Sequence, residues 1–225
     1  MRKLVNFVGL DFATIQPYLS LKTCLIYLAV CIFVTLTTRN ADIGLSATLM
    51  MGMIMMSYPF AIGEKCNLDA LYVTLALPRS TVVSGRYLFT ALMDLLTAVL
   101  GLAAVGLLSL FEPKIRQSLL SPGQGLALSS IFLTFCLLQA LQLPAYFKLG
   151  YSKARLAGLL PYAVLVLLVA LLGNLPAGLT QSLTSLLQTL TRQPLLTALT
   201  ALLAIGLSWL LSARIALVFY RKREF

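Results

Sequence analysis

The segment Ile43–Gly63 decides the fold of this chain, because it reads IGLSATLMMGMIMMSYPFAIG and contains no charged residue. A helix needs roughly 20 apolar residues to cross a bilayer core of about 30 Å. Three other segments are also free of charge, and two more carry a single charge each. The charge-free segments are 23–38, 117–147 and 156–191, and the others are 87–111 and 193–220.

These segments predict an all-α integral membrane protein with six transmembrane helices in one transmembrane domain, residues 1–225. The composition agrees with that class, because 60% of the residues are hydrophobic and the mean hydropathy is +0.94. No segment is long enough for a separate soluble domain. The predicted spans are roughly 21–37, 43–62, 87–111, 125–146, 156–173 and 195–219.

The 17 basic residues fall unequally on the two sides of the predicted bundle. Loops that remain in the cytoplasm retain Lys and Arg, so the richer side predicts a cell-membrane protein with both termini cytoplasmic. This alternation by side argues against a nucleic-acid partner. The richer side carries Arg2, Lys3, Lys22, Lys65, Arg79, Arg86, Lys148, Lys153, Arg155, Arg221, Lys222 and Arg223, and the other side carries Arg39, Lys114, Arg116 and Arg192.

Two amphipathic segments outside the spans predict helices that lie in the membrane interface. Residues 1–21 have an apolar face and basic residues that suit anionic lipid headgroups. Residues 174–193, between spans five and six, have an apolar face but are rich in Thr, Ser and Gln. A seventh span is the alternative for that second segment, and it would place the carboxyl terminus outside.

The longest cytoplasmic connection, 63–86, contains a third amphipathic helix. Leu68, Leu71, Tyr72 and Leu75 recur at helical spacing, and Pro78 is predicted to end the helix. This helix could rest on the inner headgroups, or it could dock a soluble partner in a groove.

The residue types of this chain do not favour an enzymatic function. The chain has no histidine, which removes Ser-His catalysis and His metal sites. It has no G-x-x-x-x-G-K-[ST] loop for nucleotide phosphates. Seven carboxylates are present, and of these only Asp94 lies in the membrane. We therefore expect neither a catalytic site nor a metal site.

Asp94 and Arg214 are the charges inside predicted spans. A charge near the middle of a membrane is expensive, so it usually faces protein or water. Both residues lie about 10–12 Å from the inner side at 1.5 Å per residue, which predicts an ion pair between spans three and six. The alternatives are that Arg214 snorkels to the headgroups while Asp94 is hydrogen-bonded or protonated, or that these residues contact a substrate.

Span two is rich in methionine, which repacks easily around variable partners. Met51 and Met55 could line a pathway for apolar or peptide cargo. Ordinary packing against lipid or other helices is the simpler interpretation.

The run Glu64–Leu88, EKCNLDALYVTLALPRSTVVSGRYL, resembles the small permease subunits of type-2 ABC exporters, the ABC-2 family of transporter proteins. In that family an acidic-Lys pair ends span two, and a D-x-x-Y-x-x-L-P-x-S/R-x-x-x-V-x-x-[KR]-Y-L pattern leads into span three. The order of Arg79 and Ser80 departs from the more usual Ser-Arg. The matching residues are Glu64, Lys65, Asp69, Tyr72, Leu77, Pro78, Arg79, Ser80, Val83, Arg86, Tyr87 and Leu88.

The resemblance implies a permease of the bacterial inner membrane that works with separate ABC ATPase subunits and a second permease copy or a paralogue. ATP and Mg²⁺ would be bound by the ATPases, and this chain would hold no cofactor. Dimerisation of the ATPases would press on the region 64–76 and switch the access of the pathway. The residues assigned to this coupling are Glu64, Lys65, Leu68, Asp69, Leu71, Tyr72, Leu75, Pro78 and Arg79.

Family cargoes include peptides, lipids, polysaccharides and drugs, and apolar spans with few acidic residues favour an amphipathic or cationic peptide. A non-ABC secondary transporter or a channel-like protein is the alternative. Coupled transporters usually need several intramembrane ionisable groups, and this chain has one Asp and one Arg. A small membrane enzyme is a third and weaker reading.

The predicted topology can be tested by cysteine labelling on a cysteine-free background. We expect Gln117→Cys and Gln181→Cys to react with a membrane-impermeant thiol reagent added outside the cell. A chain that retains only Cys66 is the control and should react only after the membrane is opened. Reaction of the Gln117 position from the cytoplasmic side alone would overturn the topology.

Overall fold

A computed structural model describes residues 2–18, 20–75, 77–121, 123–157, 163, 167 and 194–223. Within that part of the chain the secondary structure consists of helices, without strands. The helices are α1 (Arg2–Ile15), α2 (Leu21–Thr38), α3 (Ala41–Lys65), α4 (Leu68–Thr74), α5 (Arg79–Phe111), α6 (Pro113–Leu119), α7 (Gln124–Ala157) and α8 (Pro194–Arg221).

Four of these helices contain a segment long and apolar enough to cross a membrane: Ala41–Lys65, Arg79–Phe111, Gln124–Arg155 and Leu199–Arg221. They correspond to the predicted spans 43–62, 87–111, 125–146 and 195–219, so the all-helical membrane class is confirmed. The shorter α2 coincides with the predicted span 21–37. The predicted span 156–173 and the predicted external helix 174–193 lie almost entirely outside the described residues, so the total of six stays a prediction.

The bounds of the helices follow from local chemistry. Asn40 caps α3, because its side chain accepts a hydrogen bond of 2.9 Å from the backbone N–H of Asp42. Pro78 lies in extended conformation and begins α5, so the prediction that it ends α4 is wrong. α4 already finishes at Thr74, and α5 runs without interruption from Arg79. α7 is broken at Gly150, which has a φ of 75°. Glycine adopts such a positive φ without steric strain.

The directions of the long helices follow from their side-chain contacts. α8 runs parallel to α7, because Trp209 donates to the carbonyl of Cys136 and the ring of Tyr220 packs against Phe147. α7 and α8 therefore finish at the same end of the bundle, which we call the inner end. This parallel orientation is the one that the predicted layout requires of spans four and six.

α3 also finishes at the inner end, and α5 begins there. Hydrogen bonds connect α3 and α5 with α7 and α8 along the whole length of the bundle. From the outer end to the inner end these contacts are Asp42–Gln124, Asp94–Gln139, Tyr87–Ser212 and Glu64–Ser152.

The amino-terminal helix α1 packs on the inner part of the bundle. Phe7, Val8 and Ile15 are buried against α3 and α5, whereas Val5 on the predicted apolar face is exposed. The predicted helix is therefore present, and one side of it is covered by protein. Its placement in the membrane interface stays a prediction.

α3 and α5 approach each other through small residues. A Cβ atom on Gly52 would lie 2.6 Å from Thr97 Oγ1, and one on Gly101 would lie 2.1 Å from Thr48 Oγ1. Both distances are too short for real atoms, so glycine is needed at these crossings. Close packing through small residues spaced four apart is a common way for helices to associate in membranes.

We predict that Gly101→Ala destabilises the protein while Gly106→Ala, on the same helix, does not. A Cβ at Gly106 meets nothing within 4 Å, and Ala in a helix interior is favoured over Gly by about 1 kcal/mol. At Gly101 the Thr48 side chain must rotate and lose its hydrogen bond to Leu45, and overpacking costs about 1–3 kcal/mol. Thermal unfolding in detergent measures both. Equal shifts for the two variants would contradict the close approach of α3 and α5.

Candidate functional site at the inner end of the bundle

A cleft opens at the inner end, where α3, α4, α5, α7 and α8 meet. Its volume of about 30 Å³ is enough for about two water molecules. Aromatic rings and charged groups of both signs share its wall. The lining residues are Phe60, Gly63, Glu64, Asp69, Val82, Arg86, Tyr146, Phe147, Gly150, Tyr151, Tyr220 and Arg223.

Arg86 is the centre of this region, because its buried guanidinium contacts three other helices. Its Nε lies 3.3 Å from Asp11 Oδ2 on α1, and its Nη2 donates a long hydrogen bond of 3.5 Å to the Tyr72 hydroxyl on α4. The guanidinium also lies 4.8 Å from the ring centre of Phe60 on α3, at cation–π distance. Arg86 itself belongs to α5, so one side chain joins α1, α3, α4 and α5.

The pair of Asp11 and Arg86 is an ion pair at short range without an aligned hydrogen bond. Neither oxygen of Asp11 has a hydrogen-bond partner among the described residues, and the same holds for Arg86 Nη1. Burial raises the pKa of the Asp11 carboxyl to about 6, and the positive charge of Arg86 opposes that rise. Loss of either partner therefore leaves a buried charge without compensation.

The helix α4 is fastened to the end of α8 through Asp69. The Tyr220 hydroxyl donates to Asp69 Oδ1 at 3.0 Å, and Arg223 Nη1 lies 3.5 Å from Asp69 Oδ2. At the start of α5, Arg79 donates to the backbone carbonyls of Tyr220 and Arg221. The carboxyl-terminal end of α8 therefore holds both the short helix and the beginning of the next long one.

Glu64 ties the end of α3 to the break in α7. Its carboxylate accepts hydrogen bonds from the backbone N–H of Ser152 at 3.0 Å and from the Ser152 hydroxyl at 2.6 Å. A Cβ on Gly150 would lie 3.1 Å from Glu64 Oε2 and 3.1 Å from Arg223 Nη2. Glycine at position 150 therefore permits both the positive φ and the approach of these charged groups.

The four residues of the predicted amphipathic helix, Leu68, Leu71, Tyr72 and Leu75, do not share one surface. Leu71 is 46% exposed and Leu75 is 58% exposed, whereas Tyr72 is 2% exposed and half-buried Leu68 packs against the core. The four were expected to form one surface, and that expectation is wrong for Tyr72. α4 has only seven residues and ends at Thr74, so Leu75 lies beyond it. The helical spacing that predicted one face for all four residues therefore does not extend to Leu75. Lys65 and Pro78 are exposed, and Arg79 is half-buried.

The predicted ion pair of Asp94 and Arg214 is not formed. Asp94 is buried and accepts a hydrogen bond of 2.6 Å from Gln139 Nε2, while Arg214 is exposed. The buried face of α8 carries Ser212, Ala216 and Tyr220, which are four residues apart. Arg214 lies two residues from Ser212, about 200° around the helix, so it points away from α5. The two residues also lie at different depths, because Asp94 is on the outer side of the Tyr87–Ser212 contact and Arg214 is on its inner side.

The two methionines proposed as pathway lining are not among the residues that line the cleft. Met55 is buried in a cluster with Val8, Ile15, Phe89 and Met93, which joins α1, α3 and α5. Met51 is half-buried. Met55 therefore packs against other helices of the same chain. A pathway role for Met51 or Met55 stays a prediction.

Several residues of the site were not singled out from the sequence. Asp11 carried a usable signal, because it interrupts the apolar face of α1 four residues from Phe7 and Ile15. Gln139 also stood out as an amide within a charge-free span. Ser152, Tyr220 and Arg223 are ordinary loop or helix-end residues, and only the folded chain shows their contacts. Within the described segments, no group of Cys, Asp and Glu has the arrangement of a metal site.

One known protein family matches this chain. A family model described as ABC-2 family transporter protein matches residues 6–216, which is nearly the whole chain. No curated protein and no solved structure gives a match.

We predict that Asp11→Asn and Arg86→Gln each lower the stability of the purified protein, because each leaves one buried charge alone. Breaking a buried pair in this way typically costs about 3–5 kcal/mol. The double variant should recover part of the loss, and a double-mutant cycle from thermal unfolding measures the coupling. Lys22→Gln, at an exposed cation on α2, is the control and should be neutral. Strictly additive losses would show that Asp11 and Arg86 act separately.

Proposed function

Because the chain belongs to the ABC-2 family of transporter proteins, we propose that this multi-pass membrane permease is one subunit of an exporter whose ATPases are separate chains. The ATPase subunits dock at the inner end and bind ATP and Mg²⁺ themselves. A second copy of this chain, or a paralogue, completes the transmembrane pathway. Family membership favours this reading over a secondary transporter or a channel.

The docking proposal rests on one observation: one side of the segment 68–75 is bonded to other helices, and its other side is exposed. Asp69 and Tyr72 are held by α8 and α5, while Leu71 and Leu75 are exposed. Exposed leucines on a short helix suit insertion into an apolar groove of a partner. Since the other side is anchored, displacement of α4 moves the helices to which it is bound.

The contacts of α4 define how docking can act on the spans. One connection leads through Tyr72 and Arg86 to α5 and α1, and another leads through Asp69 to Tyr220 and Arg223 at the end of α8. Glu64, just before α4, adds the connection from α3 to α7. A force applied to this region therefore reaches every long helix described at the inner end. The assigned coupling residues Glu64, Asp69, Tyr72 and Arg79 act in this proposal as transmitters rather than as the docking surface.

The proposed cargo is an amphipathic or cationic peptide. The proposal rests on the apolar spans and on the small number of acidic groups, seven in the whole chain. A polysaccharide pathway would offer more polar side chains to hydroxyl groups. Asp94 and Gln139 supply polar atoms in the middle of the bundle, within an interior where apolar side chains predominate.

We predict that Leu71→Asp combined with Leu75→Asp prevents recruitment of the ATPase while insertion and folding remain normal. Loss of a buried interface anchor costs about 2 kcal/mol or more, which corresponds to a roughly 30-fold weaker complex. Tyr72 is left unchanged, because its removal would disturb Arg86 inside the protein. The measurements are co-purification of the ATPase in mild detergent and cargo-stimulated ATP hydrolysis in reconstituted vesicles.

The matched control is Leu71→Met combined with Leu75→Met, which keeps the surface apolar and should behave like the unchanged chain. Thermal unfolding of both variants verifies that folding is intact. Normal recruitment and normal hydrolysis by the aspartate variant would remove the docking role from α4. Failure of any ATPase to co-purify with the unchanged chain would contradict the subunit arrangement itself.

A further inference from the structure

Asp94 and Gln139 form a buried polar contact in the middle of the bundle. Asp94 is 4% exposed and Gln139 is 1% exposed, and the Gln139 Nε2 donates to Asp94 Oδ1 at 2.6 Å. The second oxygen of each group, Asp94 Oδ2 and Gln139 Oε1, has no hydrogen-bond partner among the described residues. The contact therefore leaves two buried acceptors, one on each side chain, and no donor between them.

Two unpaired acceptors on side chains that are already in contact are costly in a membrane interior. A buried polar atom without a partner costs about 1–3 kcal/mol, and a buried carboxylate without a cation costs more. A single hydrogen on Asp94 Oδ2 removes all of these costs at once. It neutralises the carboxylate, and it supplies the missing donor for Gln139 Oε1.

Among the residues that the structure describes, no cation near Asp94 offers another way to compensate its charge. Arg214 is exposed on the far side of α8, and Arg86, two turns away on α5, is engaged by Asp11. The titratable group that faces Asp94 from α7 is the thiol of Cys136, which carries no positive charge. From α2 and α3, Tyr27 and Tyr58 pack against the cluster that contains Met93, the residue before Asp94, and neither carries a positive charge.

We propose that Asp94 is a neutral carboxylic acid whose Oδ2 hydrogen is donated to Gln139 Oε1, so that acid and amide form a doubly hydrogen-bonded pair between α5 and α7. The pair is a proton-binding site in the middle of the bundle, and it does not depend on the identity of the cargo or of the ATPase. When α5 and α7 separate at this level, the acid meets water and releases its proton to it.

Infrared difference spectroscopy of the full chain in lipid nanodiscs tests the proposal. The spectrum of the unchanged protein minus that of Asp94→Asn at neutral pH should contain the C=O stretch of a protonated carboxylic acid, shifted to lower frequency in D₂O. A difference spectrum that shows only carboxylate bands overturns the proposal, whether water or a cation bridges the two oxygens.

Thermal unfolding provides a second measurement, which can also be interpreted when a substitution alters folding. Asn at position 94 can donate to Gln139 Oε1 and accept from Gln139 Nε2, so Asp94→Asn should preserve the melting temperature. Asp94→Leu and Gln139→Leu each leave one buried partner unsatisfied and should lower it by several degrees, at roughly 2–4 °C per kcal/mol for a chain of this size. Replacement of Na⁺ and K⁺ by choline should leave the unchanged protein unaffected, and a marked loss of stability there would assign the site to a metal cation instead.

Discussion

The guanidinium of Arg86 lies where α1, α3, α4 and α5 meet, and its charge must be compensated there because it is shielded from water. Asp11 supplies the opposite charge, Phe60 supplies an aromatic face, and Tyr72 supplies a hydroxyl oxygen. Each of these partners belongs to a different helix, so the requirements of one side chain fix the mutual positions of four elements. The inner end is organised by this constraint rather than by apolar packing alone.

The carboxyl-terminal end of the chain adds a second set of connections around the same cleft. Tyr220 and Arg223 hold Asp69, and Arg79 holds the last carbonyls of α8. Residues from the beginning, the middle and the end of the sequence thus meet within one region. An inner end built in this way transmits displacement, because few of its parts can move alone. This property suits the proposed docking of an ATPase at the inner end.

The sequence predicts most of the described architecture, because the length of a charge-free run reports directly on the cost of burying charge in lipid. The segments around Ile43 and Leu195 were located correctly for this reason. The relative depth of residues on two different helices is not readable in the same way, because Asp94 lies outward of the Tyr87–Ser212 contact and Arg214 lies inward of it. The direction of a side chain around its helix depends on the neighbouring helices. The sequence contains no record of which face of α8 meets α5, so the predicted pairing failed.

The same distinction applies to the inner site. The motif from Glu64 to Arg86 located the residues that gather there, since its charged and aromatic positions interrupt an apolar pattern. It could not separate Tyr72, which is buried, from Leu71, which is exposed, because a helix of seven residues ends before its periodicity is established. Ser152 and Gln139 are common residues in common contexts, and their roles arise from partners that are distant in sequence.

The hydrogen bonds that connect α3 and α5 with α7 and α8 divide the bundle into two mechanical units. Within the first unit, Gly52 and Gly101 interlock with threonine side chains, so sliding is blocked by steric overlap. Between the units, polar contacts such as Asp42–Gln124 and Asp94–Gln139 lie toward the outer end and the middle, and aromatic packing of Phe60 against Phe147 lies toward the inner end. Water can replace a polar contact at little cost, whereas it cannot replace an interlocked one. Water can therefore enter this boundary more readily at its outer and middle contacts than at the inner end, where the aromatic packing must first separate.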